Sequence, residues 1–208
     1  MKQIYSIKDL SFSVNNKVII NNVTFNINYN NITNIDGLNG AGKTTLLKLI
    51  YGLYIPTSGN VTRFYNNKKT NKAFFFQNSI FLNRSVIDNL KHALYCQNIK
   101  KIYWNNIINL CVKEHNIEYL LDLDIKSLSG GEFQLLSLLR CILNSPDILF
   151  LDEPTNNLDI KNIEIIANII KSFHKKGCSI IMVSHDKNLL GMIQYKKINL
   201  HHGKIIYD

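Results

Sequence analysis

Residues 37–44 read GLNGAGKT and match the pattern GxxxxGK[ST], with a strand-like stretch before them and an apolar helical stretch after them. Glycine has no Cβ, so several backbone N–H groups of such a loop can approach the same phosphate oxygens. The helix that begins near Lys43 adds the positive end of its dipole. The stretch therefore predicts a phosphate-binding loop within an α/β fold. Its expected ligand contacts are Gly37, Leu38, Asn39, Gly40, Ala41, Gly42, Lys43, Thr44 and Thr45.

The end of this loop carries side chains that suit a nucleoside triphosphate. We expect the Lys43 ammonium to reach the β- and γ-phosphates and the Thr44 hydroxyl to hold Mg²⁺. Asp36, directly before the loop, is unusual there because a carboxylate repels phosphate. We therefore expect the Asp36 side chain to point away from the ligand.

A second group of chemically active residues lies in the stretch DILFLDEP, residues 147–154. The apolar run 148–151 predicts a buried strand that delivers Asp152 to the carboxyl edge of a sheet, where ligand sites of α/β proteins form. Asp152 is expected to bind Mg²⁺, directly or through water. Glu153 faces another direction and can position or deprotonate an attacking water.

The order of strand and helix patterns indicates an α/β chain whose central strands are parallel. Residues 4–36 alternate in polarity between Asn-rich turns, which predicts antiparallel strands, and residues 56–69 predict a turn and a hairpin. Residues 79–125, including IEYLLDLDI at 117–125, have helical spacing and predict a helical insert. Further helices are predicted over 44–53, 130–143 and 160–177, and further strands within 146–154, 178–186 and 197–208.

The composition is typical of a folded domain that does not cross a membrane. Of the 208 residues, 46% are hydrophobic and 19% are charged. No apolar run approaches the roughly 20 residues of a spanning helix, and we expect no signal peptide. The net charge of +9 favours phosphates, nucleic acid or anionic lipid surfaces as partners, although a Lys- and Asn-rich composition explains it equally well. The four scattered cysteines lack the spacing of a zinc site or a disulfide framework.

The stretch LSGGEFQ at 128–134 lies after the helical insert and before the acidic strand. With the phosphate loop upstream, this order resembles an ABC-type ATPase, the ATP-binding subunit of ABC transporters, over essentially the whole chain. Further matching stretches are PTSG at 56–59, VIINNVTFNI at 18–27, and the surroundings of Gln77, Asp159 and His185.

The resemblance implies an α/β P-loop NTPase of the ABC type, with a mixed sheet core, an antiparallel β-subdomain and an inserted helical subdomain. It implies one ABC ATPase domain over 1–208. Residues 1–77 would hold the β-subdomain and the phosphate loop, 78–140 the helical subdomain with the LSGGEFQ signature, and 141–208 the acidic strand, the D-loop and the switch histidine.

The resemblance also assigns roles to single residues. It implies that Gln77 senses Mg²⁺ beside Thr44 and Asp152, and that Gln77 also touches a membrane partner. His185 is implied to contact the γ-phosphate, and Asp159 to be the aspartate of the D-loop. The expected catalytic residues are Glu153, His185, Lys43 and Gln77.

Ser129, Gly130 and Gly131 stand at the start of a helix and form a second anion site. One molecule cannot readily bring this helix end onto its own phosphate loop, and in the family a second copy supplies it, head to tail. The resemblance therefore implies that ATP lies between two protomers of a homodimer or of a pseudo-dimer with another ABC ATPase. ATP closes this dimer, and hydrolysis releases it.

The expected adenine contact departs from the family pattern. Where the family usually places an aromatic ring, this chain has Val14, and Val18 is a second apolar candidate for the pocket. We therefore expect looser recognition of the base, with Phe12 or Tyr5 as candidate substitutes.

The signature helix departs from the pattern as well. Leu135 stands where the family commonly has an arginine, and Arg140 matches a later arginine. The change weakens the expected ion-pair support of the helical subdomain and leaves the phosphate contacts unaffected.

The favoured function is an ATPase subunit that binds ATP and Mg²⁺ and powers solute transport through a separate integral membrane permease, with import of a small solute preferred. Its expected location is peripheral, on the cytoplasmic face of the inner membrane.

The stretch at 74–90 resembles importers, while the short chain also resembles the haem-export subunit of cytochrome c maturation. An ABC-type ATPase acting on nucleic acid or ribosomes is a weaker alternative, since no second phosphate loop or long coiled-coil insert is present, and no nucleic-acid partner is expected. A nucleotide-binding protein without hydrolysis is rejected because Lys43, Asp152, Glu153 and His185 are all present.

Overall fold

The computed structural model describes residues 2–64 and 70–206, which form two sheets with helices packed against them. The strands are β1 (Gln3–Val14), β2 (Lys17–Asn28), β3 (Ile32–Asp36), β4 (Ser58–Arg63), β5 (Lys72–Phe75), β6 (Ile148–Asp152), β7 (Ser179–Val183), β8 (Lys196–His201) and β9 (Lys204–Ile206). The helices are α1 (Lys43–Tyr51), α2 (Val86–Cys96), α3 (Trp104–Glu114), α4 (Gly130–Ile142), α5 (Ile160–Lys175) and α6 (Lys187–Met192).

The smaller sheet is antiparallel, with strand order β2-β1-β4. β1 and β2 are joined by a two-residue turn in which Asn15 and Asn16 have φ values of 47° and 62°. Asparagine tolerates this left-handed conformation, and such turns match the natural twist of a hairpin. The antiparallel prediction for the first part of the chain is therefore confirmed for β1 and β2.

The larger sheet has the order β5-β6-β7-β3-β8-β9, and its pairs are parallel except for β8 with β9. β3 lies at its centre, so the prediction that residues 32–36 continue the antiparallel strands is wrong. Four of the five residues of β3 are buried and do not alternate with exposed ones, as expected for a strand covered on both faces. The terminal hairpin of β8 and β9 is confirmed.

The hairpin predicted within residues 56–69 does not form in the described part of the chain. β4 pairs with β1 in the antiparallel sheet, whereas β5 pairs in parallel with β6 in the other sheet. Residues 65–69 of that prediction lie outside the described residues. The chain therefore passes from one sheet to the other between these two strands.

The helical insert is confirmed by α2 and α3, and α4 follows it. The prediction of a helix over 117–125 is wrong, because this stretch holds only a one-turn 3₁₀ helix at Glu118–Leu120, and a second begins at its end, Ile125–Ser127. Asp124 caps the second turn by accepting a hydrogen bond from the Lys126 N–H at 3.0 Å. The boundaries of the subdomains at residues 77 and 140 stay predictions.

The larger sheet separates two hydrophobic clusters, and alternate residues of its strands belong to different clusters. Leu149 and Leu151 of β6 pack with the helical insert, α4 and α5. Ile148 and Phe150 pack with α1 and the antiparallel sheet. Both faces of β6 are therefore buried, and burying each such side chain contributes about 1.5–3 kcal/mol. This double burial fixes the position of the residues that follow the strand.

A polar link crosses the core at the carboxyl end of the central strands. Asn34 in β3 has 0% exposure, and Ser184, the residue after β7, has 1% exposure. The Asn34 side-chain oxygen accepts from the Ser184 N–H at 3.0 Å, and the Asn34 amide donates to the Ser184 carbonyl at 3.0 Å. The side chain thus satisfies both backbone groups of Ser184 inside an otherwise apolar region.

We predict that Asn34→Leu lowers the free energy of unfolding by about 2–4 kcal/mol, because a buried N–H and a buried carbonyl both lose their partner. Urea denaturation monitored by circular dichroism measures this loss. Asn60→Leu, at an exposed asparagine of β4, is the matched control and is expected to change stability by no more than about 0.5 kcal/mol. Equal losses in the two variants would contradict the structural role of Asn34.

Candidate functional site

The predicted phosphate loop connects the central strand β3 to α1. A Cβ on Gly37, whose φ is 150°, would overlap the carbonyl oxygen of Leu200 in β8. Gly40 has a φ of 79°, and nothing lies within 4 Å of the place where its Cβ would be. Gly37 is therefore required for packing against β8, whereas Gly40 leaves open space of the kind that a phosphate needs.

The Lys43 side chain lies inside the loop and is only 8% exposed. Its ammonium group donates hydrogen bonds to the carbonyl oxygens of Gly37 at 2.7 Å and Leu38 at 3.1 Å. The backbone of the loop thus satisfies a buried cation. The positive charge is held where the loop meets the cleft described below.

Asp36 makes contacts that explain how a carboxylate can stand beside the loop. One oxygen accepts from the Gly37 N–H at 2.7 Å, and the other pairs with the Lys197 ammonium of β8 at 2.8 Å. Partial burial tends to raise the pKa of Asp36, but the contacts with Lys197 and Gly37 outweigh it, so the pKa is lowered. The carboxylate is therefore occupied by neighbours within the fold.

Thr44 and Asp152 are in direct contact. The Thr44 hydroxyl donates to the Asp152 carboxylate at 2.8 Å, and Asp152 is 2% exposed at the end of β6. Burial raises the pKa of Asp152, while the hydrogen bond from Thr44 acts in the opposite direction. Two oxygen donors of the type that Mg²⁺ prefers are thus adjacent.

Glu153 and His185 also form a pair. Nδ1 of His185 lies 2.8 Å from a carboxylate oxygen of Glu153. Glu153 has a φ of 51°, and its N–H donates to the Val183 carbonyl at 2.9 Å, so the chain turns sharply after β6. This turn explains why Asp152 and Glu153, although adjacent in sequence, face different surroundings. Non-glycine residues in the left-handed conformation occur often at functional sites.

The loops after β6 and β7 are tied together by a contact that sequence reasoning missed. The Thr155 hydroxyl, on a residue that is 3% exposed, donates to the Asp186 carboxylate at 2.7 Å. The other Asp186 oxygen accepts from the backbone of Asn188 at the start of α6. The stretches EPT at 153–155 and SHD at 184–186 both carry polar residues after buried strands. Their spacing along the chain does not predict that they are in contact.

A cleft of about 920 Å³ lies over the phosphate loop. Among the predicted site residues, those that line it are Val18, Asn39, Gly40, Gly42, Lys43, Thr44, Thr45, Gln77, Glu153 and His185. The predicted residues that do not line it are Val14, Gly37, Leu38, Ala41, Ser129, Gly130, Gly131, Asp152 and Asp159. The structure therefore unites the loop, Gln77 and the Glu153–His185 pair around one space and leaves the signature residues outside it.

Several further residues line the cleft without having been predicted. His202 and Gly203 come from the turn between β8 and β9, and Asn156 follows the acidic strand. His202 therefore forms part of the cleft wall. The N–H of Gly203 donates to the Ala41 carbonyl at 3.1 Å, which places this turn beside the phosphate loop. No spacing rule links residues so far apart.

The two aromatic substitutes proposed for base recognition are engaged elsewhere. Tyr5 is 1% exposed and packs edge-on against Phe150 in the core. The ring of Phe12 stacks on Tyr54 with centroids 5.4 Å apart. Burial of Tyr5 rules out its role against adenine, Phe12 does not line the cleft, and Val18 is the predicted apolar residue that does.

The signature residues form the tip of α4. Ser129 is the N-cap, and it exchanges hydrogen bonds with Glu132 in a capping box. A Cβ on Gly131 would overlap the side chain of Asn162 in α5, whereas a Cβ on Gly130 would meet nothing within 4 Å. Gly131 thus has a packing reason to be glycine, and Gly130 does not.

Gln77 and Gly130 both line a smaller groove of about 350 Å³. Asp159 is the N-cap of α5 and accepts a hydrogen bond from the Asn162 N–H at 2.8 Å. Asn162 therefore connects the D-loop aspartate, through its backbone, with Gly131 of the signature tip. The two motifs are neighbours in one molecule.

The residues that depart from the signature pattern have defined places. Leu135 is 0% exposed in the hydrophobic core, so an arginine there would bury its charge. Arg140 donates to the Ile80 carbonyl at 2.7 Å and lies over the Phe81 ring at 4.7 Å. Arg140 thus joins α4 to the segment after Gln77.

Comparison with known proteins identifies the class. The ABC transporter family model matches residues 20–156. The zinc import ATP-binding protein ZnuC of Wigglesworthia glossinidia brevipalpis is 34% identical over 191 residues, covering 91% of this chain and 79% of that protein. The ergothioneine transport ATP-binding protein EgtV of Helicobacter pylori is 32% identical, covering 90% of this chain and 92% of that protein. The chain therefore belongs to the ABC transporter family and is an ATP-hydrolysing, ATP-binding subunit of a transporter, as the sequence predicts.

Solved structures confirm the predicted fold class. The cbiO1 protein of Clostridium perfringens, part of an ABC transporter complex, has a TM-score of 0.86 at 22% identity, covering 100% of this chain and 88% of that chain. A dimeric ATP-binding cassette in a post-hydrolysis state with ADP and phosphate has a TM-score of 0.84 at 24% identity, covering 98% of this chain and 97% of that chain. Within residues 2–64 and 70–206, no helix has the length and apolarity to cross a bilayer.

We predict opposite stability effects for the two glycines of the signature tip. Gly131→Ala should lower the free energy of unfolding by no more than about 1 kcal/mol, because its new methyl group forces the rotatable Asn162 side chain to move. Gly130→Ala should raise it by about 0.5–1 kcal/mol, since alanine favours a helix and meets no neighbour there. Chemical denaturation measures both changes. Asn162→Ala combined with Gly131→Ala should recover most of the loss, and failure to do so would refute the packing explanation.

Proposed function

We propose that this subunit binds ATP with Mg²⁺ in the cleft over the phosphate loop and uses Glu153 as the catalytic base. The observation that carries the proposal is the convergence of three loops on one space: Lys43 follows β3, Glu153 follows β6 and His185 follows β7. The N–H groups of the loop and the Lys43 ammonium suit the charge of the β- and γ-phosphates. The triphosphate is held along the loop, with its terminal group towards Glu153.

The metal contacts proposed are Thr44, Asp152 and Gln77, of which Thr44 and Gln77 line the cleft. The hydroxyl and the carboxylate are already adjacent, and both are hard oxygen donors, so they fit Mg²⁺. When bound, Mg²⁺ neutralises charge on the β- and γ-phosphate oxygens. The Gln77 amide is exposed on the cleft wall, so a contact with the ligand can change the position of the segment that follows Gln77.

Glu153 is suited to accept a proton from water that attacks the γ-phosphate. Its side chain is 13% exposed and reaches the cleft, and the contact with His185 fixes the orientation of its carboxylate. His185 is 64% exposed and can contact the γ-phosphate through its other ring nitrogen. Thr155 and Asp186 hold the two loops together, so both side chains are positioned before ATP arrives.

We infer that the complete site forms between two protomers. Ser129, Gly130 and Gly131 lie outside the cleft of their own chain, although a helix N-terminus with free N–H groups suits an anion. A second copy, or a related cassette, arranged head to tail would present this tip to the γ-phosphate. Asp159 lies beside the tip through Asn162 and would face the same interface.

The membrane partner proposed is an integral permease that docks against the groove following Gln77. This groove has a volume of about 590 Å³ and includes Phe76 and Ile80, which are 42% and 87% exposed. Arg140 ties the same segment to the signature helix, so closure of the ATP site would move the groove. The similarity to the zinc import protein named above supports uptake of a small solute. The subunit would sit peripherally on the cytoplasmic face of the inner membrane.

We expect Glu153→Gln to reduce ATP turnover by at least about 100-fold, because a general base of this kind contributes about 10²–10⁴. ATP-dependent dimers, measured by size-exclusion chromatography, should persist and accumulate. Glu164→Gln, at an exposed residue of α5, is the control for loss of one negative charge and should hydrolyse ATP normally. Rapid hydrolysis by the Glu153 variant would rule out the assigned role.

We expect Ser129→Ala to lower turnover and ATP-driven dimerisation by about 10–100-fold, the value of a hydrogen bond to a charged group. Ser129 is also a helix cap, so the variant loses about 1 kcal/mol of stability. Ser85→Ala removes an equivalent cap from α2, away from the cleft, and is the matched control. If the Ser85 variant loses as much activity, or the Ser129 variant loses none, the two-protomer site is disproved.

A further inference from the structure

A second cleft, of about 440 Å³, lies on the helical insert between α2, α3 and the segments that flank them. It shares no residue with the cleft over the phosphate loop. The lining residues that decide its chemistry are Arg84, Asp88, Lys91, Tyr95, Lys101 and Trp104.

The cleft collects positive charge that the fold does not neutralise. Arg84, Lys91 and Lys101 face it together with one acid, Asp88. Within the described part of the chain, none of the three cations forms an ion pair. Bringing like charges together is unfavourable unless an anion joins them, so the cleft has the electrostatics of an anion-binding site.

Aromatic and apolar side chains stand beside these charges. Tyr95 is 67% exposed, and the Trp104 indole N–H donates to the Ile99 carbonyl at 2.9 Å, which fixes the ring. Leu82, which also lines the cleft, is 37% exposed. Tyrosine and tryptophan are enriched where an apolar phase meets water, and lysine accompanies them at membrane surfaces.

We propose that this cleft binds the phosphate headgroup of an anionic phospholipid. Its volume suits one headgroup, whereas an α-helix of a protein partner is about 10–12 Å across and needs a longer groove. Leu82, Tyr95 and Trp104, which line the cleft, give the apolar contact that a headgroup site has and that a site for free phosphate does not require. Nucleic acid would need a longer basic track along its backbone.

The cleft adjoins the groove proposed for the permease. His92 lines both this cleft and the groove proposed for the permease, so the two surfaces meet at one residue of α2. A bound lipid would orient the helical insert towards the bilayer beside the permease. The inference does not depend on the roles assigned to the ATP site.

The test is co-sedimentation of the purified full chain with vesicles of phosphatidylcholine, with or without phosphatidylglycerol. The variant Arg84→Gln, Lys91→Gln, Lys101→Gln should bind anionic vesicles about 100-fold more weakly, since each basic residue near an anionic surface contributes to partitioning. The control Lys161→Gln, Lys171→Gln, Lys175→Gln removes the same charge from α5 and should lose less than about threefold. Equal losses in the two triple variants, or unchanged binding in the first, would overturn the proposal.

Two further arms separate the lipid from other anions. Tyr95→Ser keeps the charge and should still weaken vesicle binding about threefold to tenfold, because an interfacial ring is lost. Soluble glycerol phosphate, polyglutamate or an oligonucleotide that displaces the protein from vesicles at micromolar concentration would assign the cleft to that anion instead. Thermal melting shows whether each variant is folded. If the triple variant is unfolded, vesicle binding by the single variants Lys91→Gln and Lys101→Gln tests the proposal instead. ATP turnover, measured in parallel, should stay unchanged, so failure here is distinct from failure at the ATP site.

Discussion

The parallel pairing of β6, β7 and β3 is the constraint on which the functional site depends. Because parallel strands place their carboxyl ends at one edge of a sheet, the loops that follow them must meet there. The phosphate loop follows β3, Asp152 ends β6, and His185 comes shortly after β7. The hydrogen bond between Thr44 and Asp152 is a direct result of this arrangement. Burial of the sheet on both faces makes the edge rigid, so these side chains are positioned by the core.

Buried hydrogen bonds fix the positions of the loop residues that follow the strands of the larger sheet. Asn34 fixes the backbone of Ser184, the residue before His185, and Thr155 binds Asp186, the residue after it. These contacts leave the histidine side chain exposed while its backbone is held on both sides. Polar groups in such places stabilise only when all their hydrogen bonds are made, which makes them strict geometric constraints. The Glu153–His185 pair is therefore preorganised, which is the property that the proposed catalytic role requires.

The signature tip has structural roles within one chain, besides the role proposed for it between two chains. Ser129 caps α4, and Gly131 packs closely against Asn162, so both residues have structural duties within one chain. The same tip does not line the cleft of its own molecule, and its free N–H groups are suited to an anion from elsewhere. Family membership and the two-protomer proposal agree with this geometry. Arg140, which links the helix to the groove after Gln77, connects the tip with the surface proposed for the permease.

The sequence by itself determined the features that depend on neighbouring residues. The phosphate loop at 37–44, the acidic strand at 147–154 and the amphipathic helices are local patterns, because spacing along the chain sets the backbone chemistry and the buried face. Tertiary structure decided what depends on partners distant in sequence. β3 became a central parallel strand, residues 117–125 did not form a helix, and His202 reached the cleft wall. These outcomes follow from competition among strands and side chains for the same core, which no short window of sequence contains.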